Sequence, residues 1–560
     1  MNEKTARCIR TILGILLLGV ILFYGFGFKS KKHGVQSISF SHESGFYDEP
    51  FYLSMECNEG EIYYTLDSSD PDENSIPYTG PIYIQDASQN PNVYCTRDDV
   101  TTDFLIRTEN GKSRFYQYEV PKELVDKANV VRAVCIDKNK RKGNTICAIY
   151  FVGYNKKEEY DGINIISITT DPENLFSYEK GIYVLGEQLE KYCNKKQLST
   201  DISHIFTWKG NSLQKGINWE RESNIIFWDH EKKFILSGDY GIRTQGGGGR
   251  ALLPKSLNIY ARTEYGADSI SGRVISDDQT YTSMNLNSGS NCMLTKLNDY
   301  LVGEVLSESI KADIRRQVFY ALFLEGEYWG VYWLMPRYDG QYFYNTYGVD
   351  ADNIIFIKDN EVEIGNNKDK EVFKNMFEFI SENDLSNSEV YKQVMDMINI
   401  ESCIDYYATE IYIGNVDWPM HNYGCWRSRN IENKPYADCK WRWALFDLNQ
   451  TMVLEFAETD MIKYTEENDR LFYGLMQSQE FRKALYAKLI DLANNSFNPY
   501  WTDEFIEEYK VKMFGIMKKE YDRFYGGDKP ISDFIMGCDS IKEYFQRRYK
   551  YIIETYGNNL

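Results

Sequence analysis

Histidine is scarce. Five are spread over 560 residues, at His33, His42, His204, His230 and His421. A Ser-His-Asp hydrolase or a histidine metal centre needs that residue in a constellation, so neither is expected. The eleven cysteines contain no CxxC pair, which excludes a zinc ribbon by spacing. Cys425 and Cys439 bracket one loop. They read either as a bridge or as two buried thiols. Basic residues are outnumbered, 63 Lys and Arg against 83 Asp and Glu, for a net charge of −20. That balance argues against a nucleic-acid partner. A chain this acidic that handled phosphate would need a local basic patch or metal ions. One apolar run lacks charge, Ile12 to Phe28, and no A-x-A-like cleavage site ends it. As a helix it spans roughly 26 Å, close to the hydrocarbon thickness. Lys4, Arg7 and Arg10 precede it; Lys29, Lys31 and Lys32 follow. Residues 1–34 therefore read as an uncleaved signal anchor, with a cleaved signal peptide as the alternative. A folded bulk behind a single anchor is most simply exported, which places the chain as single-pass in the cell membrane with its bulk extracytoplasmic.

What is present is aromatic and globular. Hydrophobic content is 43%, aromatic content 15%, and there are 45 tyrosines. The length predicts two or three domains. Residues 36–155 alternate with the strand period and are punctuated by Gly45, the Asp67 to Pro71 cluster and Gly80-Pro81. Short strands with such turns read as a β-sandwich. The runs GFYDEPFYLSM, IYYTLDSSDP, YTGPIYI and VVRAVCID closely resemble the chitobiase/β-hexosaminidase C-terminal-type module. The resemblance implies a small immunoglobulin-like sandwich and makes a glycan a candidate partner. Gln85 to Lys127 is a long insert, expected as a surface excursion. Asp67 and Asp70 read as turn residues bonding their own backbone. The polar stretch Gly153 to Gly162 reads as a linker.

Beyond it, Ile163 to Thr169 is a buried-strand run. Gly246, Gly247, Gly248 and Gly249 lie between a strand ending near Thr244 and a second strand, Ser256 to Tyr260. A glycine loop between strands lets backbone N–H groups approach phosphates; a flexible hairpin tip is the plainer reading. Lys255 enters the second strand, and Arg243 and Arg250 add positive charge. Leu297 to Ser309 reads as a helix. Glu325 to Tyr328 reads as a tight hairpin turn. Asp369 to Ile413 and the region from Asp469 read as helical core faces. The charges of Phe545 to Tyr549 read as a solvated face of the last helix.

The stretch from Glu410 to Met452 concentrates the chemistry. Asp417 and Asn422 stand five residues apart, and Asp447 follows the aromatic strand Trp441 to Phe446. Phosphoryl transfer uses a carboxylate to orient the attacking hydroxyl, and an amide oxygen and a second carboxylate to hold magnesium. Protein kinases place the first two five residues apart and the third after a strand. Ordinary capping residues and a polar turn are the alternative.

The order GIYVLGE, NWERE, GIRTQGGGGR, PKSLNIYAR, EYWGVYWL, GNVDWPMHN and WRWALFDLN resembles the CotH family, the spore-coat kinase-like proteins, over about residues 163–550. The readings together give an α+β chain, with the N-terminal anchor over 1–34 and the β-sandwich over 36–155, and the CotH resemblance implies an atypical protein-kinase-like two-lobed domain over 163–550. It implies ATP and magnesium as cofactors, and transfer of phosphate to Ser or Thr of surface or coat proteins. Lys255, the Gly246 to Gly249 loop and Arg250 would hold ATP, Asp417 would be catalytic, and Asn422 and Asp447 would bind metal. The chain departs from the family pattern where Pro336 follows the GVYWLM strand and where Asn449 stands two residues after Asp447. The alternative is an inactive kinase-like surface protein for assembly or binding that uses the sandwich for glycan or protein contact. A glycan-active enzyme would need an acid pair, for which Glu220 and Glu222 are the candidates.

Overall fold

The computed structural model describes residues 37–101, 104–109, 112–117, 120–198, 209–251, 253–275, 278–289, 294–525 and 530–557. The expected anchor over 1–34, with His33, lies outside them, as does His204. Among the described residues no helix is long and apolar enough to cross a membrane.

The N-terminal module is a five-stranded sheet. Its spatial order is Gly45–Tyr47, Ile146–Val152, Asn129–Ile136, Glu61–Thr65 and Ile76–Pro77, with two-stranded pairs beside it. Strand alternation gives this sheet two apolar faces. Val131, Ala133 and Tyr150 turn into the module's own core. Val130, Ile149 and Phe151, on the opposite parity, join the main core of the rest of the chain. The insert is no surface excursion where it is described. Cys95, Val100 and Val125 are buried in that same main core. The Glu327 carboxylate accepts N–H bonds from Val93, Tyr94 and Cys95 at 2.6, 3.1 and 2.8 Å. The stretch read as a linker is also packed. Tyr154 and Tyr160 are fully buried. Tyr160 donates to Asp126 at 2.8 Å, and Asp126 also pairs with Lys519 at 3.0 Å.

Next comes a closed seven-stranded barrel. Its order is Asn164–Thr169, Arg221–Trp228, Phe234–Gln245, Ser256–Tyr260, Ser283–Asn287, Glu327–Pro336 and Val318–Leu324. The ring closes by parallel pairing of Asn164–Thr169 with Val318–Leu324. The turn at Glu325-Gly326 has φ of 52° and 80°, the two left-handed residues that a tight hairpin takes. A Cβ on Gly326 would stand 2.9 Å from the Ala128 carbonyl oxygen, because the hairpin tip abuts the module.

The remaining half is a five-stranded sheet wrapped by helices. Its order is Asp313–Ile314, Arg442–Leu445, Gly424–Ser428, Ile354–Lys358 and Glu361–Ile364. The helical stretch from Asp369 to Ile413 is three helices, Asn367–Glu382, Ser388–Met397 and Ile400–Ile413, each opened by an Asn cap. Ile400–Ile413 is the central helix, with Cys403, Tyr406, Tyr407 and Ile411 fully buried. It stops at Gly414, φ 63°, where a Cβ would meet the Tyr544 hydroxyl at 2.7 Å. The last helix, Ser532–Tyr556, does not present a wholly solvated charged face. Arg547 pairs with Glu543 at the surface. Arg548 is fully buried and donates to the carbonyls of Ile411, Tyr412, Ala457 and Thr459 at 2.6 to 3.2 Å. It adds charged donors to carbonyls at the end of the central helix, where Gly414 N–H also donates to Ile411 and the Tyr544 hydroxyl to Tyr412.

Candidate functional site

A cleft of about 480 Å³ opens between the barrel and the second sheet. That is ample for a small-molecule ligand. Six cationic side chains line it, Lys215, Arg243, Arg250, Arg315, Arg337 and Lys358, against three carboxylates, Asp299, Glu363 and Asp447. In a chain of net charge −20 this is a local reversal of sign. A concave cationic patch concentrates an anionic ligand. Met335, Tyr338, Phe356 and Phe446 give the same cleft an apolar wall.

Strand parity supplies the barrel side. Along Ser256–Tyr260 and Ser283–Asn287, the polar residues Ser256, Asn258, Asn285 and Asn287 line the cleft. Asn258 and Asn285 are cross-strand partners, and Asn285 donates to the Asn258 side chain at 3.2 Å. Leu257, Ile259 and Leu286 point the other way, into the core. Gly246 and Gly247 line the cleft, and Gly246 takes φ of 111°, which side chains rarely adopt. Gly248 and Gly249 begin the turn Gly248–Ala251. Arg250 lines the cleft; burial, and then the neighbouring Arg243, lower its guanidinium to about 10. Behind them the carboxylate of buried Glu220 clamps Arg262 at 2.8 and 2.9 Å and stands 3.5 Å from Arg243. Glu220 is thus an anchor for arginines, not half of an acid pair.

Lys255 does not line the cleft. It shares parity with Leu257 and Ile259 and is fully buried. Its ammonium donates to the Arg250 carbonyl at 2.6 Å and lies 5.6 Å from the Tyr183 ring centroid. Burial, then Arg250, hold its pKa well below the ordinary value. The lysine expected to meet phosphate supports the glycine loop from beneath.

The opposite wall carries Asp447. It follows the strand Arg442–Leu445 with φ of 59°, a left-handed backbone that is strained for a non-glycine residue. The turn is fastened to the helix Asn298–Leu306. Leu448 N–H donates to Asp299 at 2.9 Å, and the Asn298 amide donates to the Thr451 carbonyl at 2.7 Å. Asn449 donates to the Asp447 carboxylate. Asp447 is exposed where it lines the cleft, while its chain neighbours Phe446 and Leu448 are buried. Desolvation raises its pKa; Lys358 counteracts, and Asp417 and Asp359 raise it further.

Asp417 is held beside this turn by a chain of side chains. Glu410, fully buried, accepts from Asn415 at 2.9 Å, and Asn415 accepts from the Asp417 backbone N–H at 3.1 Å. Met452 N–H donates to the Ile413 carbonyl at 2.8 Å, joining this loop to the Asp447 turn. Trp418 donates to the Tyr406 hydroxyl at 2.7 Å. Asn422, φ 63°, donates to the Asp417 carboxylate at 3.1 Å. The fold thus brings Asp417 and Asn422 into contact, and the Asp417 charge acts on Asp447. Neither Asp417 nor Asn422 lines the cleft, whereas Asp447 lies in its wall. His421 is exposed. Cys425 and Cys439 are free thiols.

Among the described residues no group of three His, Cys, Asp or Glu gathers as a metal cluster. The oxygens of Asp447, Asn422 and Asn449 are nevertheless the donor type that a hard divalent cation takes. One buried carboxylate oxygen in the cleft, Oδ2 of Asp299, has no hydrogen-bond partner. The residues present fit such an ion.

The family described as CotH kinase protein matches residues 242–552, more than half of the chain. The family described as Fn3 associated matches residues 51–150, within the N-terminal module. Among curated proteins none matches the chain. The matched range contains the glycine loop, the Asn298–Leu306 helix, the Asp417 loop and the Asp447 turn, and the chain belongs to the CotH kinase protein family.

Proposed function

We propose that the chain is an exported, membrane-anchored kinase that transfers the terminal phosphate of ATP to Ser or Thr hydroxyls of surface or coat proteins. The observation that carries this reading is the cationic cleft of an acidic chain, with Asp447 in its wall and the charge of Asp417, bonded to Asn422, acting on Asp447. Arg243, Arg250, Arg337 and Lys358 supply the charge that a triphosphate seeks, and Gly246 and Gly247 let it approach the backbone. The apolar wall of Met335, Tyr338, Phe356 and Phe446 suits a flat base. Magnesium, when bound, would neutralise charge on the phosphates, and Asp447 and Asn422 would hold it. Asp417 would orient the attacking hydroxyl and accept its proton.

A second reading, a kinase-like surface protein that binds without transfer, rests on Lys255 being spent on the Arg250 carbonyl. One experiment separates the two. The full chain is incubated with γ-labelled ATP, magnesium and a mixed Ser/Thr peptide library. Transfer by the wild type, reduced at least ~100-fold in Asp417→Asn with ATP binding retained, supports catalysis. ATP binding without transfer supports the second reading.

A further inference from the structure

The cleft holds a carboxylate that this reading does not use. Asp299 sits in the first turn of Asn298–Leu306 and is 7% exposed. Its Oδ1 accepts from Leu448 N–H at 2.9 Å, which fixes it one residue from Asp447 along the chain. Its Oδ2 is buried without a hydrogen-bond partner, and the residue lines the same cleft as Asp447 and Asn449. Arg315, a cation that acts on it, makes no hydrogen bond to Oδ2, and its own Nε is also buried without a partner. Arg315 donates to the Pro336 carbonyl at 2.9 Å and lies 4.1 Å over the Tyr338 ring.

A buried carboxylate oxygen without a donor costs free energy, and a second carboxylate beside it adds repulsion. Phosphate or a neutral hydroxyl would not offset that repulsion. A cation would. Asp447 brings one negative charge, and Asn449 can add an oxygen but no charge. Asp299 brings the second charge from a different element.

We propose that Asp299 is a ligand of a divalent cation shared with Asp447, so that the helix Asn298–Leu306 and the Asp447 turn together form the metal site. The inference rests on the reading of this cleft as a metal–nucleotide site. It replaces a site built from one carboxylate with one built from two, and makes the helix a participant in metal binding.

The test is Mn²⁺ alone, titrated into the full chain and followed by the EPR signal of the free ion. Asp299→Asn keeps an acceptor for Leu448 N–H but removes the charge. It should weaken Mn²⁺ binding at least ~10-fold with little change in Tm. Adding Asn449→Asp to that variant restores a second carboxylate at the turn and should recover much of the loss. Asp299→Ser, which also keeps an acceptor, serves if Asp299→Asn does not fold. Glu363→Gln, a cleft carboxylate outside the proposed set, should bind as the wild type does. Wild-type Mn²⁺ affinity in the Asp299 variants overturns the inference, and so does a wild type that takes no Mn²⁺. ATP binding is titrated separately. If the wild type binds ATP with magnesium while the Asp299 variants match it in Mn²⁺ affinity, the inference falls and the proposed function stands. If the wild type binds no ATP, the proposed function falls, and Mn²⁺ alone still decides the role of Asp299.

Discussion

Lys255 is buried away from the cleft, and Lys358 lines it. Lys255 stands at a strand entrance after a glycine loop, yet its parity is that of Leu257 and Ile259, so it must point into the barrel core. Lys358 lines the cleft, lies 4.4 Å over the Phe446 ring and is the main cation acting on Asp447. Lys358→Ala should therefore weaken ATP affinity about tenfold, ~1.4 kcal/mol. Lys255→Met should leave it within about twofold. Calorimetric titration of both variants checks this, and the reverse order would restore Lys255 to the site. Glu410 gives a pH-dependent case. Burial raises its carboxyl to about 8, while Asn415 pulls it the other way. An acid raised on folding holds its proton more tightly in the native state. Its contribution is most favourable below the unfolded value of ~4.3, declines as pH rises from there to about 8, and is constant above. Glu410→Gln keeps an acceptor for Asn415 and cannot ionise. The variant should melt above the wild type at pH 8, with the gap closing by pH 5. A gap independent of pH would contradict the assignment.

At the scale of elements, periodicity and capping were readable where they are local. The strands Ile163 to Thr169 and Ser256 to Tyr260 appear within a residue of expectation, and the Glu325-Gly326 turn forms as read. The five-residue spacing of Asp417 and Asn422 is realised as a direct hydrogen bond. Parity within Ser256–Tyr260 was also present in the sequence and would have removed Lys255 from the site. The rest was not legible because no local spacing encodes it. Arg315, Arg337 and Lys358 come from separate segments and converge only when the barrel meets the second sheet. Asp299 looks like an ordinary acid in the first turn of a helix until Leu448 packs against it. Arg548 is the same kind of case, since a charge on the last helix becomes a cap only through contact with the end of Ile400–Ile413. Arg548→Met keeps the bulk but strips several donors from buried carbonyls, so it should cost about 3 kcal/mol or more. Arg547→Ala, at the surface, should cost within about 0.5 kcal/mol. Chemical denaturation of the two variants checks both, and a mild Arg548→Met would mean that those carbonyls find other partners.

At the scale of the whole molecule, the module and the barrel share a core. Val130, Ile149 and Phe151 belong to it from one side and Phe323 and Tyr328 from the other, with Glu327 fastening the insert. The hydrophobic runs VVRAVCI and ICAIYFV are apolar on both parities, which signals a sheet buried on both faces. The polar letters of Gly153 to Gly162 conceal two buried tyrosines, which is why the stretch reads as a linker and packs as a joint. This assembly places a cationic cleft with Asp447 in its wall on a chain of net charge −20. The central claim is that the cleft takes a nucleotide through a divalent cation held by Asp447. The most direct measurement is calorimetric titration of ATP into the full chain, with and without magnesium, for the wild type and Asp447→Asn. A metal is the largest local charge in such a site, so binding should depend on magnesium and weaken at least ~10-fold in Asp447→Asn. No binding by the wild type, or affinity unchanged by removing magnesium and by Asp447→Asn, would contradict it.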